Sequence, residues 1–310
     1  MPDKDTEHTK GFVVTLATFI FWGFLPIYWK LLEGIPAFEI ICHRIVWAVV
    51  FLAVIITIRK QWSVIFSTAR DIPTMKLLVV TGLTVGCNWL IYIWAVTSGR
   101  ILEASLGYYI NPLVVVLFGF FFFQERPRKI QWLAIFIAAT GVLFRVIRYG
   151  NVPIASLGIA ISFATYGMLR KKASVDSIPG LFIETSMLSI PALGFLFFWG
   201  YNGTGTFALS VPVISLLLAG TGIATSVPLI TFVYGARRIK LITVGILQYT
   251  APTITFFLGI FIYHEPFEST RLVTFVCIWF ALLIYTLESI VHERVRQRGL
   301  RGLTKKRTEV

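Results

Sequence analysis

The run Glu39-Ile-Ile-Cys-His43-Arg44 sets three ionisable side chains at the head of an apolar stretch that continues to about residue 58. Glu103 and Glu184 stand in similar surroundings, as do the polar and aromatic residues Trp22, Asn88, Tyr109, Gln248 and Tyr249. A charge at the centre of a membrane helix costs at least about 2.5–3.5 kcal/mol, so each of these groups needs a partner or a water-filled cavity. Arg44 can snorkel to the membrane surface, and two chemistries fit it if it stays inside. It can be neutralised by Glu103 between packed helices, or its guanidinium can grip a substrate carboxylate or phosphate through paired N–H donors. Arg44 lies seven residues into its stretch, about 10 Å below the start by helical rise. Trp22, Asn88, Glu103 and Tyr109 fall at comparable depth, which predicts one polar cluster of Arg44, Glu103 and Asn88. His43 points about 100° away from Arg44 on a helix and shares its surface only if the cavity is wide. Glu39, one turn earlier, is expected to be solvated. The second half offers a counterpart: Glu184 with Thr185, Tyr166, Thr225, Ser226, Gln248 and Tyr249. A cavity-facing carboxyl can exchange a proton, so Glu184 and Glu103 are the coupling candidates, against a purely structural role for each.

Other chemistries are excluded. The chain has no GxxxxGK[ST] loop and no HExxH, and its four Asp residues (Asp3, Asp5, Asp71, Asp176) lie in the tail, in loops or at a span edge. ATP hydrolysis, zinc peptidase chemistry and an intramembrane aspartyl dyad are therefore not expected. The reading is not an enzyme, with no cofactor and no metal. Cys42, Cys87 and Cys277 are far apart in apolar runs and read as buried small side chains.

The elements that must position these residues are membrane helices. The chain is 56% hydrophobic, 14% charged and has a mean hydropathy of +0.79, the composition of a polytopic membrane protein. Crossing the hydrocarbon core takes roughly 20 apolar residues. Ten stretches qualify: about 11–30, 37–58, 74–96, 102–123, 130–147, 152–170, 179–199, 211–234, 240–262 and 271–290. Of the 28 Lys and Arg residues, 22 fall on one side of these spans, five on the other, and Arg44 inside. Positive residues collect in the cytoplasm, so both termini are expected there. Clustered between apolar runs, they do not form the stripe that nucleic-acid binding needs.

A stretch that occurs twice organises the whole. Tyr109-Ile-Asn-Pro112, with Gly119, Phe121 and Glu125, returns 140 residues later as Tyr249-Thr-Ala-Pro252, with Gly259, Phe261 and Glu265. Pro112 and Pro252 each delete a helix hydrogen bond and are expected to kink their spans. Five spans per half, an odd number, turn the second half upside down relative to the first. Inverted repeats with a site between the halves are the architecture of secondary transporters.

The run Glu103-Ala-Ser-Leu-Gly-Tyr-Tyr-Ile-Asn-Pro112, with Gln124-Glu125-Arg126 and Gln131-Trp132-Leu133, resembles the EamA family of the drug/metabolite transporter superfamily. Glu39-Ile-Ile-Cys-His43-Arg44, Gly86-Cys-Asn88-Trp89, Ile183-Glu184-Thr185 and Gln248-Tyr249 are similar to its RarD branch. The resemblance implies an all-α membrane protein: ten transmembrane helices as two inverted five-helix EamA repeats around a central cavity. The expected layout is a cytoplasmic N-terminal tail (1–10), a first repeat (11–147), a second repeat (152–290) and a basic cytoplasmic C-terminal tail (291–310). The expected activity is a permease of the bacterial inner membrane, moving a small polar or zwitterionic metabolite or drug by alternating access with proton coupling as an option. A lipid scramblase or flippase is the alternative, and after it a membrane-embedded enzyme. Arg44 would engage an anionic group, with Trp22, His43, Asn88, Tyr109, Gln248 and Tyr249 around the substrate. The expected partners are that substrate and the lipid bilayer, with no nucleic acid, and the chain acts as a monomer or a dimer.

Overall fold

The computed structural model describes residues 4–208, 210–264 and 269–308, with side chains for 6–208, 210–264, 272–289 and 291–292. Glu265, the side chain of Arg271 and the side chains of the basic tail lie outside the described residues. Among these residues the chain forms helices: α1 (Lys4–Lys30), α2 (Ala37–Ile58), α3 (Trp62–Arg70), α4 (Ile72–Thr97), α5 (Ile101–Phe123) and α6 (Lys129–Tyr149). There follow α7 (Ile154–Lys172), α8 (Ser177–Tyr201), α9 (Pro212–Ala236), α10 (Leu241–Gln248), α11 (Thr250–Phe261) and α12 (Ser269–Thr308). Prolines mark several starts: Pro36 precedes α2, Pro153 precedes α7 and Pro212 opens α9. The missing N–H of proline is harmless there, because first-turn N–H groups have no partner inside the helix.

Nine of these segments are long and apolar enough to cross a membrane, counting Leu241–Phe261 as one. Helix α7, with 19 residues and Arg170, Lys171 and Lys172 in its last turn, falls outside that set and stands at the remaining one of the ten expected spans. The expected kink at Pro252 is a break: α10 stops at Gln248 and α11 starts at Thr250. Pro252 has no N–H for the carbonyl of Gln248, four residues earlier. Pro112 deletes the same bond, yet α5 runs through it unbroken. Packing separates the two cases. α5 is buried on both sides of its proline, at Ile110, Asn111, Val115 and Val116, whereas the segment around Pro252 is buried before it, at Leu247, Gln248 and Tyr249, and after it only at Leu258 and Gly259.

The connection after residue 58 holds a short helix, α3, and α12 runs on as helix beyond the expected span to Thr308. Two expectations are corrected. Of the three cysteines, only Cys42 is buried; Cys277 is half-buried, and Cys87 sits on the exposed face of α4. Arg170, counted above among loop residues, is fully buried inside the bundle.

Helices α1–α5 and α7–α11 make up one compact unit, and α6 with α12 a second. Within the first, α1 packs on α9 and α11, while α7 packs on α4 and α5; α2 packs on α9, while α8 packs on α4. Helices α2 and α8 also pair directly, as do α5 and α10. Exchanging the halves (α1 for α7, α2 for α8, α4 for α9, α5 for α10–α11) leaves this set of neighbours unchanged. A two-fold relation between repeats requires that. In the second unit, Arg128 forms a two-point ion pair with Glu288, and Thr274 donates to the carbonyl of Gly141 at 3.1 Å.

Candidate functional site

Helix α2 buries Ile41, Cys42, Ile45, Ala48, Leu52 and Ile56, at spacings of one to four residues that keep one face on the core. Arg44 stands at the edge of that face and is half-buried. Its position depends on a close approach by α9: a Cβ on Gly222 would collide with the backbone of Trp47 and Ala48. Glycine lets the two backbones touch. Thr225, three residues on, then meets Arg44, accepting a hydrogen bond from Nε at 2.9 Å.

Two indoles flank the guanidinium, Trp29 of α1 at 4.9 Å and Trp89 of α4 at 5.4 Å from its carbon. The phenols of Tyr92 and Tyr108 lie near it, and their rings meet edge-on at 6.3 Å. Tyr108 is 51% exposed. Among the described residues, the terminal nitrogens of Arg44 have no hydrogen-bond or ion-pair partner. Each cation–π contact is worth about 0.5–2 kcal/mol. Together they steady the cation without cancelling its charge.

The predicted cluster of Arg44, Glu103 and Asn88 is not what forms. Glu103 accepts from the backbone N–H of Ala155 at 3.0 Å, while Ser156 donates to its carbonyl at 2.6 Å. Its carboxylate thus caps the start of α7, where helix N–H groups lack partners. Asn88 donates to the Ile159 carbonyl at 2.8 Å and to Ser162 Oγ at 2.9 Å, fastening α4 to α7.

The remaining expected residues scatter. Trp22 is half-buried in an aromatic cluster with Phe19, Phe163 and Phe232. Tyr109 and Tyr249 are packed in the interior, where the Tyr249 hydroxyl donates to the Tyr109 carbonyl at 3.2 Å. Gln248 is buried at the α10–α11 break, its Oε1 unpaired among the described residues. His43 stacks on Phe207 at 5.2 Å, with neither ring nitrogen hydrogen-bonded. Glu39, expected in solvent, is 3% exposed. It accepts from both the N–H and the hydroxyl of Thr206 at 2.6 Å, tying the loop after α8 to α2.

Glu184 is the centre of a second, sealed cluster. It accepts from Thr81 Oγ1 at 2.5 Å and from the Tyr166 hydroxyl at 3.3 Å, and Arg170 Nε lies 3.4 Å away. All four side chains are fully buried. Gly180 makes room for the guanidinium of Arg170, which a Cβ there would strike. Thr225, grouped with Glu184 above, belongs to the Arg44 site instead.

Sequence reasoning missed Trp29, Tyr92, Tyr108 and Arg170. Tyr108 and Tyr109 are adjacent, so only helical phase tells them apart. Arg170 opens a basic triplet at a helix end, the usual look of a loop.

Comparison with known proteins agrees with this fold. The profile of the EamA-like transporter family matches twice, over residues 9–147 and 152–287. The uncharacterized transporter YojE of Bacillus subtilis is 43% identical over 300 residues, covering 94% of this chain and 98% of its own length. Protein RarD of Escherichia coli is 40% identical over 291 residues, covering 94% and 98%. A protein crystal structure 19% identical in sequence superposes with a TM-score of 0.69 over 89% of this chain and 97% of its own, a likeness of fold alone. With both halves matched and relatives aligned nearly end to end, this chain belongs to the EamA-like transporter family, as a RarD-type permease.

Proposed function

We propose that the chain is a secondary transporter of the bacterial cytoplasmic membrane, moving a small organic anion by alternating access between its two repeats, with both termini in the cytoplasm. The observation that carries this reading is Arg44: half-exposed, flanked by Trp29 and Trp89, and without a carboxylate partner among the described residues. The carboxylate expected beside it, Glu103, is engaged with Ala155 and Arg100, and Glu39, one turn before His43, is engaged with Thr206. A site with one cation and no acid beside it favours an anion over a zwitterion, whose ammonium would face that cation. Arg44 presents its N–H groups to a carboxylate or phosphate, and Tyr92 and Tyr108 flank the remainder of the substrate.

The two clusters differ in enclosure. Arg44, toward the outer side by the charge asymmetry, is half-buried with an exposed Tyr108 near it; Glu184, Arg170 and Tyr166, toward the cytoplasm, are fully buried. Arg44 of α2 bonds Thr225 of α9, and Glu184 of α8 bonds Thr81 of α4. Each repeat thus holds the other through a charge on its second span, with opposite signs on opposite sides of the membrane. Of the two coupling candidates, Glu184 fits better. It joins the two repeats on the cytoplasmic side, through Thr81 and beside Arg170, whereas Glu103 joins them on the outer side, where it caps α7 and pairs with Arg100.

The test is uptake into proteoliposomes from a panel of carboxylates, phosphate esters and zwitterions, with and without an imposed pH gradient. Arg44→Lys is expected to lower kcat/KM for the accepted anion roughly 10- to 100-fold, mainly through KM, as loss of charge-assisted hydrogen bonds predicts. Glu184→Gln is expected to abolish acceleration by the gradient. Transport by Arg44→Ala indistinguishable from the parent on every accepted compound sinks the site assignment.

A further inference from the structure

A cavity of about 360 Å³ lies between α2, α8 and α9, away from Arg44's indole and phenol neighbours. That is within the roughly 300–1,000 Å³ of ligand pockets. Its walls are Phe51, Ile55 and Ile58 of α2, Ile178 of α8, and Val227 and Ile230 of α9. Thr231 also lines it, but its hydroxyl is engaged, donating to the Val227 carbonyl at 2.9 Å and accepting from Thr18 at 2.8 Å. One charged group remains at the cavity. Arg59, next after the last residue of α2, is exposed, and its side chain has no partner among the described residues.

The depth of Arg59 can be read from its neighbour α3. That helix buries Ile65 and Thr68 against the bundle and leaves Phe66 60% exposed. Trp62, at its start, donates its indole N–H to Thr57 at 3.0 Å, which pins α3 to the end of α2. A short helix joining two spans, with an exposed Phe and a Trp beside basic Arg59 and Lys60, belongs at the membrane–water interface. Arg59 therefore sits at headgroup level. From it the cavity runs inward along α2 to Phe51, a helical rise of about 12 Å.

We infer that this cavity is a seat for one anionic glycerophospholipid, with its phosphate on Arg59 and an acyl chain in the slot between α2 and α9. A small polar metabolite would find no free polar side chain inside to orient it, whereas a hydrocarbon chain needs none. A cation at the mouth of an apolar slot between membrane helices matches an anionic headgroup joined to a tail. The proposed orientation decides only that the lipid comes from the cytoplasmic leaflet. The slot itself requires neither that orientation nor the Arg44 reading.

The experiment uses the full chain in phosphatidylcholine vesicles doped with phosphatidylglycerol whose acyl chain carries a diazirine. Both leaflets contain the probe, so the outcome does not depend on which way the chain inserts. After photolysis, adducts are mapped by mass spectrometry. The expected result is enrichment at residues 51–58 and 227–231 over lipid-exposed positions such as Val80 and Leu83 of α4. Arg59→Gln, or the same diazirine on phosphatidylcholine, should reduce that enrichment about five-fold, the worth of one basic residue against an anionic lipid. Ile230→Trp should remove the slot adducts while those on α4 persist. Equal labelling by the two lipids that Arg59→Gln leaves unchanged overturns the proposal, and so does labelling of the slot no greater than that of α4. Transport is not the readout, so failure of the anion-transport reading would leave this result intact, and the reverse.

Discussion

Two arginines inside one bundle meet opposite surroundings. Arg44 is half-buried, its guanidinium steadied by indoles and a threonine; Arg170 is enclosed with Glu184, Tyr166 and Thr81. Removing one partner of a buried pair leaves an uncompensated charge, at about 3–5 kcal/mol, while replacing both by apolar groups is often neutral. Arg170→Met is therefore expected to destabilise the protein by about that amount, and Arg170→Met with Glu184→Leu to recover most of it, read as unfolding midpoints in detergent. A double variant no more stable than the single one would show that the pair is not the unit. Arg44 could be singled out because a charge inside a long apolar run is anomalous by composition alone. Arg170 could not, since Arg170-Lys171-Lys172 looks the same whether its first member turns inward or outward. Likewise Tyr108 and Tyr109 are one residue and about 100° apart on a helix, and only packing shows which faces Arg44.

At the scale of elements, the bundle is joined by side chains that satisfy the ends of other helices. Glu125, after the end of α5, accepts from the N–H groups of Leu241 and Ile242 at 2.8 and 2.9 Å and caps α10. Glu103 does the same for α7. Both carboxylates could be picked out as charges at the borders of spans, but the helices they cap are distant in sequence. The α2–α9 contact at Gly222 makes a sharper test. Gly222→Ala forces a methyl into the Trp47–Ala48 backbone and is expected to cost about 1–3 kcal/mol, while displacing Thr225 from Arg44. Gly194→Ala, in α8, meets open space and should be neutral or stabilising by up to about 1 kcal/mol. Comparing the two thermal midpoints separates close approach from ordinary helix propensity; equal shifts would contradict the packing described here. Helix α3 left a trace in sequence, in Trp62, Val64, Ile65 and Phe66, but a stretch of nine residues is too short to compete with the spans beside it.

For the whole molecule, the neighbour set that survives exchange of the halves matches the 140-residue repeat of Pro112 and Pro252. Moving Arg170 out of the loop count leaves the asymmetry of Lys and Arg large, so the proposed orientation stands on many residues. A fluorescent protein that folds only in the cytoplasm, fused after Val310, is expected to be bright. A periplasm-dependent phosphatase reporter at the same position is expected to be inactive. The opposite pattern would invert every assignment of inner and outer side.

By itself the amino-acid order determined that this chain spans a membrane about ten times, that it is a duplication, and that Arg44 and Glu184 are buried-region charges needing an explanation. Those properties follow from composition, periodicity and spacing, which are additive along the chain. Only the tertiary structure decided the partners: Thr225, Trp29 and Trp89 for Arg44, Arg170 and Thr81 for Glu184, Ala155 for Glu103. Partnership depends on helical phase and on where two backbones can touch, as at Gly222. Neither is a local property, because hydrocarbon and apolar side chains are nearly equivalent neighbours and the apolar pattern alone does not say which face meets protein.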